Sequence, residues 1–161
     1  MTVAAPTIGK PLQPGVDTIS SYNHTTAKFD LGYPLSDTKG NTYRYVKNTD
    51  ASALVSGDVV RIEANDWDVD KATSGTPARF LGVAVGGIAV NSYGFVMTSG
   101  RFTVKAGGSW TDKDPLTIAA GALKTGTVGT HDIVGVAIEA ATDTQTKAAQ
   151  FFSRFAPVIQ V

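Results

Sequence analysis

The sequence predicts an all-β protein: a single β-barrel or β-sandwich domain with an extended, proline-rich N-terminal arm. Glycine, threonine and serine are plentiful while strong helix formers are sparse, which favours short strands joined by turns. The stretch from Arg79 to Lys105 reads as three successive β-segments. Four of the 7 prolines fall within residues 1–42, where they interrupt any helix and any central strand.

Residues 1–42 form the predicted arm, and residues 43–161 form the predicted β-domain. Apolar side chains are scattered through the arm, and an extended chain of that length reaches on the order of 130 Å. We therefore expect the arm to dock on a neighbouring subunit, with a flexible tail as the alternative. The predicted contact residues are Ile8, Leu12, Val16, Ile19, Tyr22, Phe29 and Tyr33.

The β-domain begins with two predicted strands and a loop. Residues 42–47 alternate between apolar and polar side chains, as in a half-buried strand. A second strand follows Asp58, because Val60 and Ile62 recur at every other position. Residues 65–77 are polar, and we expect them to form a surface loop.

The central stretch contains the clearest strand patterns. Residues 80–85 are apolar on both faces, as in a strand buried on both sides. Residues 93–98 and 101–105 read as two further strands. The pair Ser99-Gly100 lies between them, and glycine tolerates the positive φ that a tight turn needs, so we predict a hairpin there.

Three more strands are expected toward the C-terminus. Residues 116–120 form one, and residues 121–132 are rich in glycine and threonine, which indicates a loop or a hairpin. Residues 133–139 are apolar again. Residues 147–155 form the last predicted strand, with a short helix over residues 146–150 as the alternative.

The chain contains a weak internal echo. Residues 80–85 and residues 133–138 both read as two apolar residues, Gly-Val-Ala and a further apolar residue. Upstream of each lies an aspartate, Asp58 or Asp114, followed by apolar residues at every other position. We interpret the echo as two similar hairpin-like units packed into one barrel or sandwich, with chance similarity between strands as the alternative.

Composition and charge exclude several kinds of function. The 14 basic and 14 acidic residues give a net charge of zero, so we expect neither nucleic acid nor an anionic membrane as partner. Cysteine is absent, which excludes disulfides and thiolate chemistry. We see no signal peptide and no apolar run of the roughly 18 residues that a membrane span requires. The protein is expected to stay in the cytosol or to join a particle assembled there.

One acidic motif suggests a metal site. Asp66, Asp68 and Asp70 give D-x-D-x-D, the opening of an EF-hand loop. However, Lys71 stands where that loop needs glycine, and Pro77 stands where it needs glutamate. We expect a solvated acidic loop and no metal, with a looser cation site in a β-loop as the open alternative.

No residue pattern predicts catalysis. Residues 36–39 fit S-x-x-K and residues 124–126 spell K-T-G, but the third motif of penicillin-binding enzymes, S-D-N, is absent. His24 and His131 lie in polar, loop-like contexts, and no spacing favours a Ser-His-Asp triad. We therefore predict that the protein is not an enzyme and that it has no catalytic residue and no cofactor.

The order of features over roughly residues 52–155 resembles the decoration, or cement, proteins of tailed-phage capsids. The features are a Gly-Asp turn and strand, a Gly-Val-Ala strand, a Tyr-Gly-Phe-Val hairpin entering a Gly-Arg-Phe strand, and a second Gly-Val-Ala strand. The resemblance implies a small β-barrel that forms trimers or other small oligomers on the outer capsid surface. There it would bind and clamp neighbouring major capsid proteins, after synthesis in the host cytoplasm.

Two other functions remain open at this point. The chain could be another virion module, such as a head fibre, a tail part or a receptor-binding part. It could also be a carbohydrate-binding β-module, in which Trp67 or Trp110 would stack on a sugar ring.

Overall fold

A computed structural model of the protein describes residues 19, 22–63, 67–73, 80–131 and 133–151. Every regular element in these ranges is a β-strand, which confirms the all-β prediction. The strands are β1 (Pro34–Ser36), β2 (Thr42–Asn48), β3 (Val59–Ile62), β4 (Asp68–Lys71), β5 (Phe80–Ala84), β6 (Tyr93–Lys105), β7 (Pro115–Ala119), β8 (Ala122–Thr125), β9 (Gly135–Ala137) and β10 (Thr146–Phe151).

The first unit is a closed barrel made of β2, β4, β3, β5 and the first half of β6. Its strands pair in that order, and a pairing of β2 with β6 closes it. Pairing is antiparallel except between β2 and β4, which run parallel. One buried cluster takes side chains from all its strands: Val46, Leu54, Val60, Val69, Leu81, Ala84, Ile88 and Val96. The predicted barrel is therefore present, and β1 extends it at the edge of β2.

The second unit is made of the second half of β6 with β10, β9, β7 and β8, paired in that order. A parallel bridge between Ala106 and Leu123 links β8 back to the residue that follows β6. This bridge corresponds to the parallel pairing of β2 with β4 in the first unit. The second unit contributes to a larger buried cluster through Val104, Trp110, Leu116, Leu123, Val134, Ala137, Ala141 and Ala149.

Strand β6 belongs to both units, so the hairpin predicted at Ser99-Gly100 is wrong. β6 runs without a break from Tyr93 to Lys105. Its partner changes in the middle: Ser99 lies opposite Thr42 of β2, and Gly100 lies opposite Phe151 of β10. Gly100 has a φ of 126°, and the side chain of Asn41 occupies the space where a Cβ would lie. Glycine here permits close packing within a strand instead of a reversal of the chain.

The two units repeat each other in their hydrogen bonds, which confirms the internal echo. Before β3, the Val55 N–H donates to the Asp58 carboxylate at 2.8 Å, and the Asp58 N–H donates to the Val55 carbonyl at 3.0 Å. Before β7, Thr111 and Asp114 make the same two bonds at 2.7 and 3.2 Å. The repeat therefore extends from the predicted hairpins to whole five-stranded units.

A second pair of contacts shows the same repeat. Leu54 and Ile88 exchange two main-chain hydrogen bonds of 3.0 Å, and Trp110 and Ala141 do the same at 3.0 Å. All four side chains are buried. The first unit thus fills this position with two branched side chains and the second with one large and one small side chain, which conserves volume.

One further prediction is corrected. The predicted loop over residues 65–77 contains β4, because Val69 is buried and the strand pairs with both β2 and β3. Four residues with a single buried apolar side chain are too short a pattern to reveal a strand. Strand β10 confirms the last predicted strand over its described residues, and the alternative, a helix over residues 146–150, is wrong.

The predicted division of the chain at residues 42 and 43 falls at the start of β2. Residues 34–36, inside the predicted arm, pair with β2 as strand β1. The described residues contain no helix that is long and apolar enough to cross a membrane.

Candidate binding surface

The C-terminal part of the predicted arm packs on the outside of the first unit. The rings of Tyr22 and Phe29 lie 5.4 and 5.7 Å from that of Phe95, measured between centroids. Phe29 also meets the ring of Tyr45 edge-on at 5.2 Å, and Tyr33 stacks on Phe29 at 5.2 Å. The protein's own barrel therefore holds this segment.

Four of the seven predicted contact residues are described. Ile19, Tyr22 and Phe29 are partly buried against the core of the same chain. Tyr33 is 44% exposed and offers the largest exposed fraction of the four. Ile8, Leu12 and Val16 lie outside the described residues. Contact with a partner stays a prediction for all seven.

Asn23 and His24 bind the first unit next to the loop of residues 86–92. His24 and Tyr93 exchange main-chain hydrogen bonds of 2.9 and 2.7 Å, and the Asn23 side chain accepts a hydrogen bond from the Ala89 N–H at 3.1 Å. Burial lowers the pKa of His24, and the charge of Lys28 lowers it further. The His24 Nε2 is buried without a hydrogen-bond partner within the described part of the chain. Protonation of His24 is therefore unfavourable in the folded state.

Two loops form one end of the first unit, residues 51–57 and residues 86–92, which we call the first tip. The buried side chain of Asn48 joins them: its amide donates to the carbonyl oxygens of Ser52, Ile88 and Ala89 at 3.1, 2.9 and 3.2 Å. Its oxygen accepts a hydrogen bond from the Asp50 N–H at 3.0 Å. The backbone of the first tip is thus fixed by one fully satisfied polar side chain.

The equivalent end of the second unit consists of residues 108–113 and 139–145, which we call the second tip. Here Ala106 occupies the position of Asn48. The Asn48 N–H donates to the Ser92 carbonyl, and the Ala106 N–H donates to the Gln145 carbonyl, at 2.9 and 2.7 Å. Alanine has no side-chain amide, so the brace that Asn48 provides is specific to the first tip.

The first tip is also longer. Thr49 and Gly107 hold equivalent positions, since each N–H donates to a main-chain carbonyl of the neighbouring strand, that of Val69 or Leu123. Four residues separate Thr49 from Leu54, whereas two separate Gly107 from Trp110. The additional residues of the first tip are those that Asn48 braces.

The two tips differ in charge. Residues 51–57 and 86–92 contain no charged side chain, and Val55 and Val90 are 46% and 42% exposed. The second tip exposes Asp112, Lys113, Glu139 and Asp143. Thus the equivalent loops contain no charged residue in the first unit and four charged residues in the second.

Asp50, which precedes the first tip in the sequence, is turned inward, and the Lys71 ammonium donates a hydrogen bond to the Ser52 hydroxyl of this tip at 3.1 Å. The Asp50 carboxylate accepts hydrogen bonds from the main-chain and side-chain groups of Ser52, both at 2.8 Å, and from the Lys71 N–H at 2.9 Å. Partial burial alone raises the pKa of Asp50, but these hydrogen bonds outweigh it and the pKa is lowered. Asp50 therefore stays ionised, and its carboxylate oxygens are bonded to groups of the same chain.

A buried carboxylate links the two units. Asp58 has a side chain only 3% exposed, and it pairs with the ammonium of Lys105 at the end of β6 and with that of Lys71 at 3.6 Å. The Lys105 N–H also donates to the Gly57 carbonyl at 3.1 Å. These contacts fix the end of β6 against the turn that precedes β3.

The acidic motif does not form a metal site within the described residues. Asp66 lies outside them, and Asp68 and Asp70 lie in β4. Asp70 accepts two hydrogen bonds of 2.7 Å from the guanidinium of Arg61, and this pairing raises the pKa of Arg61. No group of three or more His, Asp or Glu side chains in the described ranges could hold a metal ion.

The other singled-out side chains have local structural contacts. Trp110 is buried, and its indole N–H donates to the Glu139 carbonyl at 2.9 Å, so it offers no platform for a sugar. The guanidinium of Arg44 lies over the ring of Trp67, 5.5 Å from its centroid. His131 accepts a hydrogen bond from the Thr127 N–H at 3.1 Å. The structure brings none of these residues together into a site.

A network around Asp37 closes the turn between β1 and β2. The carboxylate accepts hydrogen bonds from the Tyr43 hydroxyl at 2.8 Å and from the Asn41 amide at 2.7 Å. Partial burial raises the pKa of Asp37, but these bonds and those from the main-chain N–H groups of Asn41 and Lys39 outweigh it and lower the pKa. Burial, followed by the bond to Asp37, raises the pKa of Tyr43 to about 12.

The sequence reasoning missed Asn48 and the first tip. A signal was present: aligning the two halves of the echo sets ASALVSG of residues 51–57 against the charged sequence that ends in Thr111-Asp112-Lys113. The contrast between an uncharged and a charged copy of one loop was visible there. The role of Asn48 was not, because its partner Ile88 is 40 residues away.

Comparisons with known proteins agree with this description. The family model described as phage cement protein matches residues 38–151. The fold is similar to the crystal structure of the head fiber gp8.5 N base of bacteriophage phi29, with a TM-score of 0.54 and 17% identity. That alignment covers 68% of this chain and 92% of the other. None of the curated proteins matches the sequence.

Proposed function

The chain belongs to the phage cement protein family and is a structural protein of a phage virion, and we propose that it binds the outside of the capsid and cements neighbouring major capsid proteins. The match over residues 38–151 carries this proposal, because it spans both units. A cement protein acts through many weak contacts multiplied over the lattice, so it needs stable binding surfaces instead of an active site. We therefore also propose that the protein is not an enzyme.

The architecture supports a load-resisting role. The units share β6, a single strand of 13 residues, and the buried Asp58 pairs with Lys105 at its end. Bending between the units would break strand pairings with β2 or β10 and expose a buried carboxylate. A clamp that resists internal pressure needs this kind of continuity between its two halves.

Self-association into a homotrimer is part of the same proposal. The predicted arm residues, from Ile8 to Tyr33, would contact neighbouring subunits or the capsid. The test is light scattering on the full chain and on a version lacking residues 1–18, which keeps the packing of Tyr22 and Phe29 on Phe95. If the full chain is a trimer and the truncated version is a monomer, residues 1–18 are required for trimerisation. A monomer in both versions would exclude the homotrimer.

A role as a head-fibre base is the second candidate, since the fold is that of such a base in bacteriophage phi29. The two roles differ in their effect on the particle. A cement protein stabilises the shell that it binds, whereas a fibre base attaches an appendage and need not stabilise the shell.

The deciding experiment adds the purified protein to capsids assembled without it. Cosedimentation measures binding, and calorimetry measures the temperature at which the shell is disrupted. Cementing predicts saturable binding and a higher disruption temperature. Binding without any change in that temperature would favour the fibre base, and no binding would reject both roles. Bovine serum albumin at the same concentration controls for unspecific adsorption.

A further inference from the structure

We propose that the first tip, residues 51–57 and 86–92, is the face of this protein that contacts the capsid, and that it fits an uncharged, apolar surface of the major capsid protein. The inference rests on the proposed function, since it names the surface through which that function acts.

The second unit shows what the local fold requires. Val55 of the first tip corresponds to Thr111 of the second, because each precedes its aspartate by three positions and makes the same turn bonds. Val90 corresponds to Asp143, because the residues that follow them, Asn91 and Thr144, both have positive φ. Polar side chains are therefore compatible with these positions.

The fold itself therefore does not require valine at these two exposed positions of the first tip, so we look for the reason in a contact with a partner. Leaving Val55 and Val90 nearly half exposed costs hydrophobic free energy that a polar residue would avoid. Scattered single apolar residues are common on surfaces, but here the two valines lie on loops that Leu54 and Ile88 join and that carry no charge. An uncharged apolar surface is the complement of an uncharged apolar partner.

The hydrogen bonds of the Asn48 side chain at the first tip support the same inference. Asn48 fixes both loops through three carbonyl groups, while the second tip has Ala106 in its place and a shorter loop. A buried asparagine is expensive unless fully bonded, and a loop held in one conformation loses less entropy on binding. The first tip is therefore preorganised for contact in a way that the second is not.

The size of the first tip indicates whether its binding partner is a second copy of this chain or the capsid. A stable protein–protein interface takes roughly 20–30 residues from each side. The two loops of the first tip contain 14 residues, several of them buried, so the tip alone is too small to hold a dimer. It suffices as one contact among many on a lattice. Asn23 also contacts Ala89 of this tip, so the predicted arm joins the unit at the same end.

The test exchanges the tips within the same fold. The variant Val55→Thr/Val90→Asp gives the first tip the residues of the second. Its matched control, Thr111→Val/Asp143→Val, makes the reverse exchange on the second tip. Affinity for capsids lacking the protein is measured by cosedimentation, and folding is checked by thermal unfolding. We expect the first exchange to weaken binding at least tenfold and the control to stay within about twofold of wild type. Wild-type affinity should change little between about 0.05 and 0.5 M salt, because the contact is uncharged.

The outcomes separate the inference from the proposed function. If wild type does not bind, the proposed function fails. If wild type binds and the first exchange binds equally well, the function stands and the inference is overturned. The inference is also overturned if light scattering shows that the first exchange dissociates an oligomer, since the tip would then be a subunit interface. A second variant, Ala53→Lys, at an exposed position of the same loop, repeats the test if the first exchange unfolds.

Discussion

Gly57 and Lys113 hold the same position in the two units, and both have a left-handed backbone, with φ of 89° and 69°. Each N–H donates to an equivalent alanine carbonyl: Gly57 to Ala84 at 2.9 Å and Lys113 to Ala137 at 3.0 Å. Glycine adopts this conformation without steric cost, whereas the Cβ of lysine crowds the following carbonyl. The second unit therefore keeps a strain that the first unit lacks.

Replacing Lys113 by glycine is expected to stabilise the protein by about 1 kcal/mol, because relief of the strain exceeds the entropy that glycine loses on folding. For a chain of this size that corresponds to a rise in melting temperature of roughly 2–4 °C. Lys124→Gly in β8 removes the same charge at a position without positive φ and should destabilise by about 1 kcal/mol. A fall in melting temperature for Lys113→Gly would contradict the equivalence with Gly57.

Thr144→Asn tests a second pair of equivalent positions. Thr144 has a φ of 69°, and Asn91 of the first unit has a φ of 57°. A β-branched side chain is disfavoured at positive φ, whereas asparagine tolerates it. We expect the substitution to raise the free energy of unfolding in urea by about 0.5–1 kcal/mol. Thr142→Asn, two residues earlier and without positive φ, should leave it unchanged, and equal effects of both variants would exclude relief of strain as the cause.

Asp58→Asn tests the buried link between the units. The variant keeps the shape of the side chain and can still accept the Val55 N–H, but it leaves the ammonium groups of Lys105 and Lys71 without their buried anion. We expect a loss of about 3 kcal/mol in the free energy of unfolding, measured in urea. Asp114→Asn, at the equivalent turn, should lose much less, because no lysine pairs with Asp114 within the described residues. Equal losses in the two variants would show that the turn, and not the ion pair, is what matters.

Tyr43→Phe tests the bond between Tyr43 and Asp37 through the dependence of stability on pH. The pKa of Tyr43 is about 12 in the folded state and about 10 when unfolded. The stability that follows from this raised pKa is complete below pH 10 and is lost as pH rises to 12, a loss of about 2–3 kcal/mol. Unfolding in urea at pH 9 and pH 12 should show this loss in wild type and a smaller loss in Tyr43→Phe. The exposed Tyr33→Phe should behave as wild type, and identical pH profiles for all three proteins would reject the raised pKa.

Much of the fold followed from local patterns in the sequence. The alternation over residues 42–47 and the apolar run over residues 80–85 correspond to β2 and β5. The echo around Asp58 and Asp114 pointed to two similar units, because a repeated turn leaves a repeated pattern of side chains. The order of features was also enough to indicate a phage cement protein, which the family match confirms.

The candidate surface was less accessible to sequence reasoning. Apolar residues in the arm drew attention, yet Tyr22 and Phe29 pack on the chain's own barrel. Val55 and Val90 belong to no sequence motif, and only the structure shows that they are exposed at one end of the first unit. Exposure depends on which distant segments cover a residue, and no local pattern contains that information.

The sequence by itself determined most of the strands and the repeat, because alternation and turn residues act over a few positions. The tertiary structure alone decided between barrel and sandwich, since closure depends on β2 pairing with β6 some 50 residues later. It also decided that Ser99-Gly100 continues a strand: a glycine permits both a turn and close packing, and the partners β2 and β10 select the second. The hydrogen bond from Asn48 to Ile88 also depends on the tertiary structure, because it exists only once the barrel has brought the two residues together.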